Sequence, residues 1–314
     1  MKTVLVESLA ISEERLNALS APLRKNGNQF EAYTTKPKTE EEWLSRIEGA
    51  EQVILANTPM PESILDKTSA LQYINIAFTG MDHVPVEKAR AKGIRVTNAA
   101  TYSDEGVAEL VMGMTISLLR HLKECDGEIR QGGKAADFCG GEIAGRTVGI
   151  IGTGRIGTRV AQLFHAFGAR LIGFNRSEKE EVKALGLTYL PLEEVLRQAD
   201  ILTLHLPSTP ETRNFLTARH FALLKPSAIL LNCARGAIVH SHDLAEALKQ
   251  GKLAGAGVDV FEEEPPLSSD EPLLSAPHVL LTPHIAYFTQ EAMEKRAKIV
   301  FRNACAFLDK KNRE

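Results

Sequence analysis

Arg235, Glu264 and His284 each follow a short apolar run, in the segments NCARG, VDVFEEEPP and TPHIA. An arginine offers two parallel donors to a carboxylate and an adjacent carbonyl. A histidine can give a proton to a developing alkoxide and take it back in the reverse direction. A carboxylate bonded to that histidine fixes its tautomer and raises its pKa. As a set, the three suit hydride transfer to a 2-keto acid, in which negative charge grows on the carbonyl oxygen. Singly, each has a plainer reading. A histidine near a strand end is more often structural, and Glu264 sits in an acidic run of the kind usually found in solvated loops. The set acquires meaning only if the fold brings its members together.

A second group of residues points to a dinucleotide. GTGRIG places Gly152, Gly154 and Gly157 after the apolar run VGII and ahead of the helical pattern RIGTRVAQLFHAFG. Gly152 permits a tight turn, Gly154 lets the backbone approach a pyrophosphate, and Gly157 lets helix and strand pack closely. Free N–H groups and the positive dipole end at the helix start favour phosphate there. The next strand ends in Asn175-Arg176-Ser177, where an NAD enzyme usually carries Asp or Glu for the ribose hydroxyls. Asn does not repel a 2′-phosphate and Arg binds one. The expected cofactor is therefore NADP in preference to NAD.

These residues need elements to hold them. Short β-branched runs alternate with helical patterns along nearly the whole chain. TVLVES (Thr3 to Ser8), QVILA (Gln52 to Ala56), QYINIA (Gln72 to Ala77) and RVTN (Arg95 to Asn98) read as strands, with a helix around Glu13 to Leu23. A long apolar helix is expected at about Asp104 to His121. A Gly-rich connection, GGKAADFCGGEIAG, spans Gly132 to Gly145. The second series comprises TVGIIG, RLIGFN, DILTLHLP, AILLNCA, GAGVDVF and HVLLTP, and a helix closes the chain at about Gln290 to Asp309. Apolar strands separated by amphipathic helices predict parallel sheets covered on both faces.

A chain of 314 residues predicts two domains. A net charge of −3 gives no footprint for nucleic acid or an acidic membrane surface. The N-terminus lacks a basic region followed by a long apolar core, and no apolar run reaches membrane-spanning length. Cys125, Cys139, Cys233 and Cys305 are scattered without a CxxC pair, so neither a structural metal nor a disulfide framework is expected. The expected location is the cytoplasm.

From about Val53 to Thr289 the sequence resembles the D-isomer-specific 2-hydroxyacid dehydrogenases, which include glyoxylate and hydroxypyruvate reductases. The matching pieces are FTGMDHV, VAELVMG, GRTVGIIGTGRIG, ADILTLHLPSTPETR, LLNCARGAIV, GAGVDVFEEEPP and TPHIA. The resemblance implies that Arg235 binds substrate, Glu264 pairs with the histidine, and His284 is the acid/base. It implies substrate contacts from Thr79 and Gly80. Cofactor contacts would come from Arg155 and Ile156 in the glycine turn, and from His205, Leu206, Pro207, Thr212, Cys233, Ala234 and Asp259. Cys233 also has a packing reading and is not proposed as a nucleophile.

The implied fold is α/β with two doubly wound parallel-sheet lobes. A flavodoxin-like substrate domain (1–99 plus 288–314) is interrupted by a Rossmann dinucleotide-binding domain (100–287). The resemblance further implies a homodimer through the cofactor domain, with the apolar helix after Ser103 as part of the interface. The sequence departs from many relatives at Phe138, where they carry Trp, and at HIAYFT, where they carry Gly-Gly after the histidine. Tyr287 and Phe288 either line the substrate pocket or pack at the hinge. The favoured substrate is glyoxylate or hydroxypyruvate, with D-lactate or a branched 2-hydroxy acid as the alternative. A rival of another class is a dinucleotide-sensing, corepressor-like binding protein.

Overall fold

The computed structural model describes residues 1–25, 27–134 and 138–311. The chain folds into two units, Met1–Ser103 with Phe288–Glu314, and Asp104–Tyr287.

The first unit contains β1 (Lys2–Leu5), β2 (Gln29–Ala32), β3 (Gln52–Leu55), β4 (Tyr73–Ile76) and β5 (Arg95–Asn98). They form one parallel sheet in the order β2-β1-β3-β4-β5, the flavodoxin-like arrangement. β3 and β4 are buried at every position, as central strands covered on both faces must be. β2 carries QFEA, lies at the edge and is mostly exposed, so no apolar run marks it in the sequence. Helix Glu13–Ser20 begins at Ser12, whose side chain accepts from the Arg15 N–H, with Glu13 and Glu14 in its first turn. Pro22 then stands within a 3-10 turn, Ala21–Arg24, and so shortens the helix expected to reach Leu23. The C-terminal helix Gln290–Lys311 returns to this unit. Asn75 Nδ2 donates to the Val300 carbonyl at 2.8 Å, and Tyr73 stacks on Phe307 at 4.5 Å.

The second unit contains β6 (Thr147–Ile151), β7 (Arg170–Phe174), β8 (Thr188–Tyr189), β9 (Ile201–Leu204), β10 (Ile229–Asn232), β11 (Gly255–Val258) and β12 (Val279–Leu281). The order is β12-β11-β10-β9-β6-β7-β8, all parallel, which is the Rossmann order extended by one strand. Successive residues of these strands enter two different cores. Val148, Ile150, Ile201, Ile229 and Leu231 pack with Val111, Met114, Val160 and Phe164. Ile151, Leu202, Leu204, Leu230 and Val258 pack with Phe221, Leu244 and Leu248. Burial on both faces explains why the strands read as unbroken apolar runs.

The long apolar helix runs Asp104–Leu119. Its Val107, Ala108, Val111, Met114 and Leu119 lie in the core of this unit, against helix Arg155–Ala166. That face is therefore intramolecular packing. A separate helix, Leu122–Arg130, which the sequence reading did not separate from the long apolar one, has no buried residue. Of the Gly-rich connection, Ala135, Ala136 and Asp137 lie outside the described residues. Among the described residues, no helix is long and apolar enough to cross a membrane, and no cluster of His, Cys, Asp and Glu could hold a metal ion.

Candidate active site

Strand register assembles the site. Ile151 aligns with Phe174 and Leu204, Leu204 with Asn232, Asn232 with Val258, and Val258 with Leu281. The residues that leave the strands next are Gly152, Asn175, His205, Cys233, Asp259 and Thr282. All six stand along the carboxyl edge of one sheet, where ligands of open parallel sheets bind.

Gly152 has φ +93°, and a Cβ there would lie 2.6 Å from the His205 carbonyl oxygen. A Cβ on Gly157 would lie 2.0 Å from the Gly152 carbonyl oxygen. A Cβ on Gly154 would meet nothing within 4 Å. The first and third glycines thus close the turn, and the second faces open space. Helix Arg155–Ala166 starts at Gly154 without a side-chain cap, so its first amides remain available for an anion. This geometry fits a dinucleotide pyrophosphate. The Arg155 side chain turns away to pair with Asp104 at 2.9 Å, which leaves its backbone for the turn. Ile156 packs partly into the core.

Arg176 and Ser177 are exposed, and Asn175 Nδ2 donates to the Ser177 carbonyl at 2.6 Å. Glu211 is held below the usual carboxylate range, chiefly by a hydrogen bond from Thr209, with the charge of Arg176 adding to the effect. Arg176 therefore lies near the loop that follows β9. In that loop Thr212 Oγ1 donates to the Pro207 carbonyl at 2.7 Å and accepts from the Thr209 N–H at 2.8 Å, closing the turn. His205 keeps some exposure as a residue, but burial of its ring lowers its pKa to about 3. It is neutral and shares a 3.0 Å hydrogen bond with Thr203. Leu206 packs against the core of its unit. Burial, with the nearby Asp259 charge, pushes the Cys233 thiol well above its ordinary pKa. It rests 3.8 Å from Met114 Sδ and is not set up as a nucleophile.

Asn232, which the sequence did not single out, shapes the arginine loop. Its Oδ1 accepts from the Ala234 N–H and its Nδ2 donates to the Arg235 carbonyl, both at 3.1 Å. Arg235 Nη1 donates to the Ala234 carbonyl at 2.7 Å. The next residue, Gly236, presses on the neighbouring loop. A Cβ there would lie 1.9 Å from the Phe261 carbonyl carbon and 2.4 Å from the Glu262 nitrogen. The loops carrying Arg235 and Glu264 are thus in backbone contact. The EEE run also divides by contact: Glu262 pairs with Arg213, and Glu264 does not.

Glu264 reaches His284. Its two oxygens lie 2.9 and 2.8 Å from His284 Nδ1. The carboxylate is half exposed and the imidazole mostly covered. Tyr287 stands edge-on to the ring, with centroids 5.4 Å apart. The histidine occupies a backbone conformation with φ +56°. Asp259 holds it there. The Asp259 carbonyl accepts from the His284 N–H at 2.7 Å, and its carboxylate accepts from the Thr282 hydroxyl and the N–H groups of Ile285 and Ala286 at 2.5 to 2.9 Å. Burial nonetheless raises the Asp259 pKa, against the lowering effect of those donors.

Thr79 and Gly80 belong to the first unit, beyond the carboxyl end of β4. Thr79 is exposed, and its carbonyl accepts from Asn98 Nδ2 at 2.6 Å.

Residues 112–286 match the family described as D-isomer specific 2-hydroxyacid dehydrogenase, NAD binding domain. A D-3-phosphoglycerate dehydrogenase of Methanocaldococcus jannaschii is 38% identical over 83% of this chain, which spans 50% of that protein's length. A glyoxylate reductase of Pyrococcus furiosus is 34% identical over 98% of this chain and 93% of its own length. Among solved structures, an acyclic imino acid reductase in complex with NADPH and D-Arg superposes with a TM-score of 0.89 at 28% identity, over 99% of this chain and 98% of that one.

Proposed function

The chain belongs to the D-isomer-specific 2-hydroxyacid dehydrogenase family, and from that premise we propose that it reduces a small 2-keto acid to the D-2-hydroxy acid, with NADPH favoured over NADH. The observation that carries the reading is the Glu264–His284 pair, with two carboxylate oxygens within 2.9 Å of Nδ1. Because Nδ1 faces Glu264, Nε2 is the nitrogen left to deliver the proton. The carboxylate orients the ring and fixes which nitrogen faces the substrate. Arg235 binds the keto acid through its two parallel donors. When bound, the reduced nicotinamide supplies the hydride to the carbonyl carbon. His284 protonates the oxygen, and the reverse reaction returns both.

NADPH is favoured because the three residues that directly follow β7, Asn175, Arg176 and Ser177, carry no carboxylate and include an arginine. Glyoxylate and hydroxypyruvate are the favoured substrates, in keeping with the glyoxylate reductase among the relatives. A homodimer in the cytoplasm completes the reading. Helix Leu122–Arg130 supports the dimer, since it leaves Leu122 at 51% and Ile129 at 68% exposure on the unit expected to pair.

The test is a set of initial rates on glyoxylate, hydroxypyruvate, pyruvate and 2-ketoisocaproate, each with NADPH and NADH. A mixture of a keto acid and ammonia is added because of the imino acid reductase neighbour. Fast NADPH-dependent turnover of either favoured acid is expected. A preference for NADH overturns the cofactor assignment alone. Tight cofactor binding without turnover of any keto acid favours the sensor reading.

A further inference from the structure

One side chain ties together the two loops of the second unit that a dinucleotide would meet. Tyr189 ends β8, the edge strand beside β7, where it lies opposite Gly173. Its ring packs against the core of the unit. Its hydroxyl makes two hydrogen bonds. It shares one, at 2.7 Å, with the hydroxyl of Thr153, the residue between the first two glycines of the turn. It accepts the other, at 3.1 Å, from the N–H of Lys179, at the far end of the loop that begins Asn175-Arg176-Ser177. Thr153 is fully buried, so its hydroxyl needs a partner, and Tyr189 supplies it. The near end of the loop is bound to the turn already, since the Gly152 N–H donates to the Phe174 carbonyl at 2.8 Å. Two further ties in the segment are local, from Asn175 to the Ser177 carbonyl and from Glu178 to Lys183. Residues 175–179 are thus held against one glycine turn at both ends, by the sheet at the first and by the Tyr189 hydroxyl at the last.

Packing alone asks only for the ring, and a phenylalanine would fill the same space. The hydroxyl joins the turn where a pyrophosphate would lie to the loop that would take a 2′-phosphate. Arg176 is exposed and sits within that loop, between the two points that hold it. A long, exposed side chain gains from a fixed backbone, because less freedom is lost when its guanidinium closes on a phosphate. We propose that Tyr189 is a positioning residue for cofactor selection: its hydroxyl pins the loop carrying Arg176 to the glycine turn and so sets the spacing between the two phosphate sites. The assignment rests on the NADPH reading above. NADH has no 2′-phosphate and draws little from the pinned loop. Arg235, Glu264 and His284 follow β10, β11 and β12, which the strand order sets apart from β8 at the opposite edge of the sheet.

The experiment titrates NADPH and NADH, by their own fluorescence, into the wild type, Tyr189→Phe and Thr153→Val. It also follows amide hydrogen exchange over residues 175–179 in the cofactor-free protein. Tyr189→Phe keeps the ring and removes both hydrogen bonds. Its Kd for NADPH should rise by roughly fivefold, the worth of a hydrogen bond, and its Kd for NADH by no more than about twofold. Exchange at the Lys179 amide should quicken by about tenfold, since its acceptor is gone. In an Arg176→Gln background, Tyr189→Phe should no longer change the ratio of the two constants, because the hydroxyl acts through that arginine. Thr153→Val cuts the link from the turn side, keeps the bond to Lys179, and should move the ratio the same way by a smaller factor. It decides the matter should Tyr189→Phe fail to fold. An unchanged ratio in a folded variant overturns the proposal, as does a full effect of Tyr189→Phe without Arg176. A wild type that binds NADH at least as tightly as NADPH overturns the cofactor reading, and this assignment with it.

Discussion

Gly236→Ala tests whether backbone contact between two loops sets the catalytic geometry. The new Cβ would fall 1.9 Å from the Phe261 carbonyl carbon, 2.1 Å from its oxygen and 2.4 Å from the Glu262 nitrogen, where ordinary contact begins at 3.4 Å. All three atoms are backbone, so no side chain can rotate to make room. The loops must part by roughly 1.5 Å, the difference between 3.4 and 1.9 Å. Arg235 precedes the substituted residue and Glu264 lies two residues beyond Glu262, so the displacement falls between the proposed substrate-binding group and the partner of the proposed acid/base. A displacement near 1 Å can lower a rate about 100-fold, and kcat/KM for the keto acid should fall by roughly that factor. Overpacking of this kind costs about 1–3 kcal/mol. The melting temperature should drop by about 2–4 °C per kcal/mol for a unit of this size. The assay pairs initial rates of NADPH oxidation with thermal melting and cofactor titration. NADPH affinity should fall less than the rate, because the glycine turn at Gly152–Gly157 lies on other strands, although Ala234 and Asp259 flank the displaced loops. A variant with wild-type rate and melting temperature refutes the coupling. One whose cofactor affinity falls as far as its rate places the damage at the dinucleotide instead.

Four further substitutions probe the same unit. His284→Asn should lower kcat by about 10²–10⁴-fold by removing the proton donor. Glu264→Gln, which keeps a hydrogen-bonding group but loses the charge, should cost about 10–100-fold, and equal, small losses in both variants in steady-state rates count against the pair. Arg176→Asp should weaken NADPH use by roughly 10–100-fold, the worth of charge-assisted bonds of about 1.5–3 kcal/mol, and leave NADH use nearly unchanged; parallel losses in the two Michaelis constants remove Arg176 from the 2′-phosphate. His205 is depressed to about 3 from an ordinary 6.5, so the folded chain keeps it neutral where the unfolded chain protonates it. Its contribution to stability is fully present above pH 6.5 and is lost as pH falls toward 3. The slope is about 1.4 kcal/mol per pH unit, and the total is at most roughly 5 kcal/mol. Urea unfolding from pH 7 to 4 should show a shallower dependence in His205→Asn, and identical slopes would argue against a buried neutral ring.

The sequence alone determined the features that depend on near neighbours. Runs such as VGII and AILL announce strands buried on both faces, because a parallel sheet needs apolar residues on successive positions. Gly152, Gly154 and Gly157 are legible because turn geometry is fixed within six residues. The order of Arg235, Glu264 and His284 was readable too, but only as a set in search of a meeting place. Tertiary structure decided the rest. Edge strand β2 buries too little to leave a pattern, so periodicity could not find it. The contact of Gly236 with Phe261, the hold of Asp259 on the His284 loop and the bond of Tyr189 to Thr153 join positions 25 to 36 residues apart. Local periodicity reports how deeply a residue is buried. Which distant backbone atom it meets there is fixed by strand order and register, and these exist only once the sheets have formed.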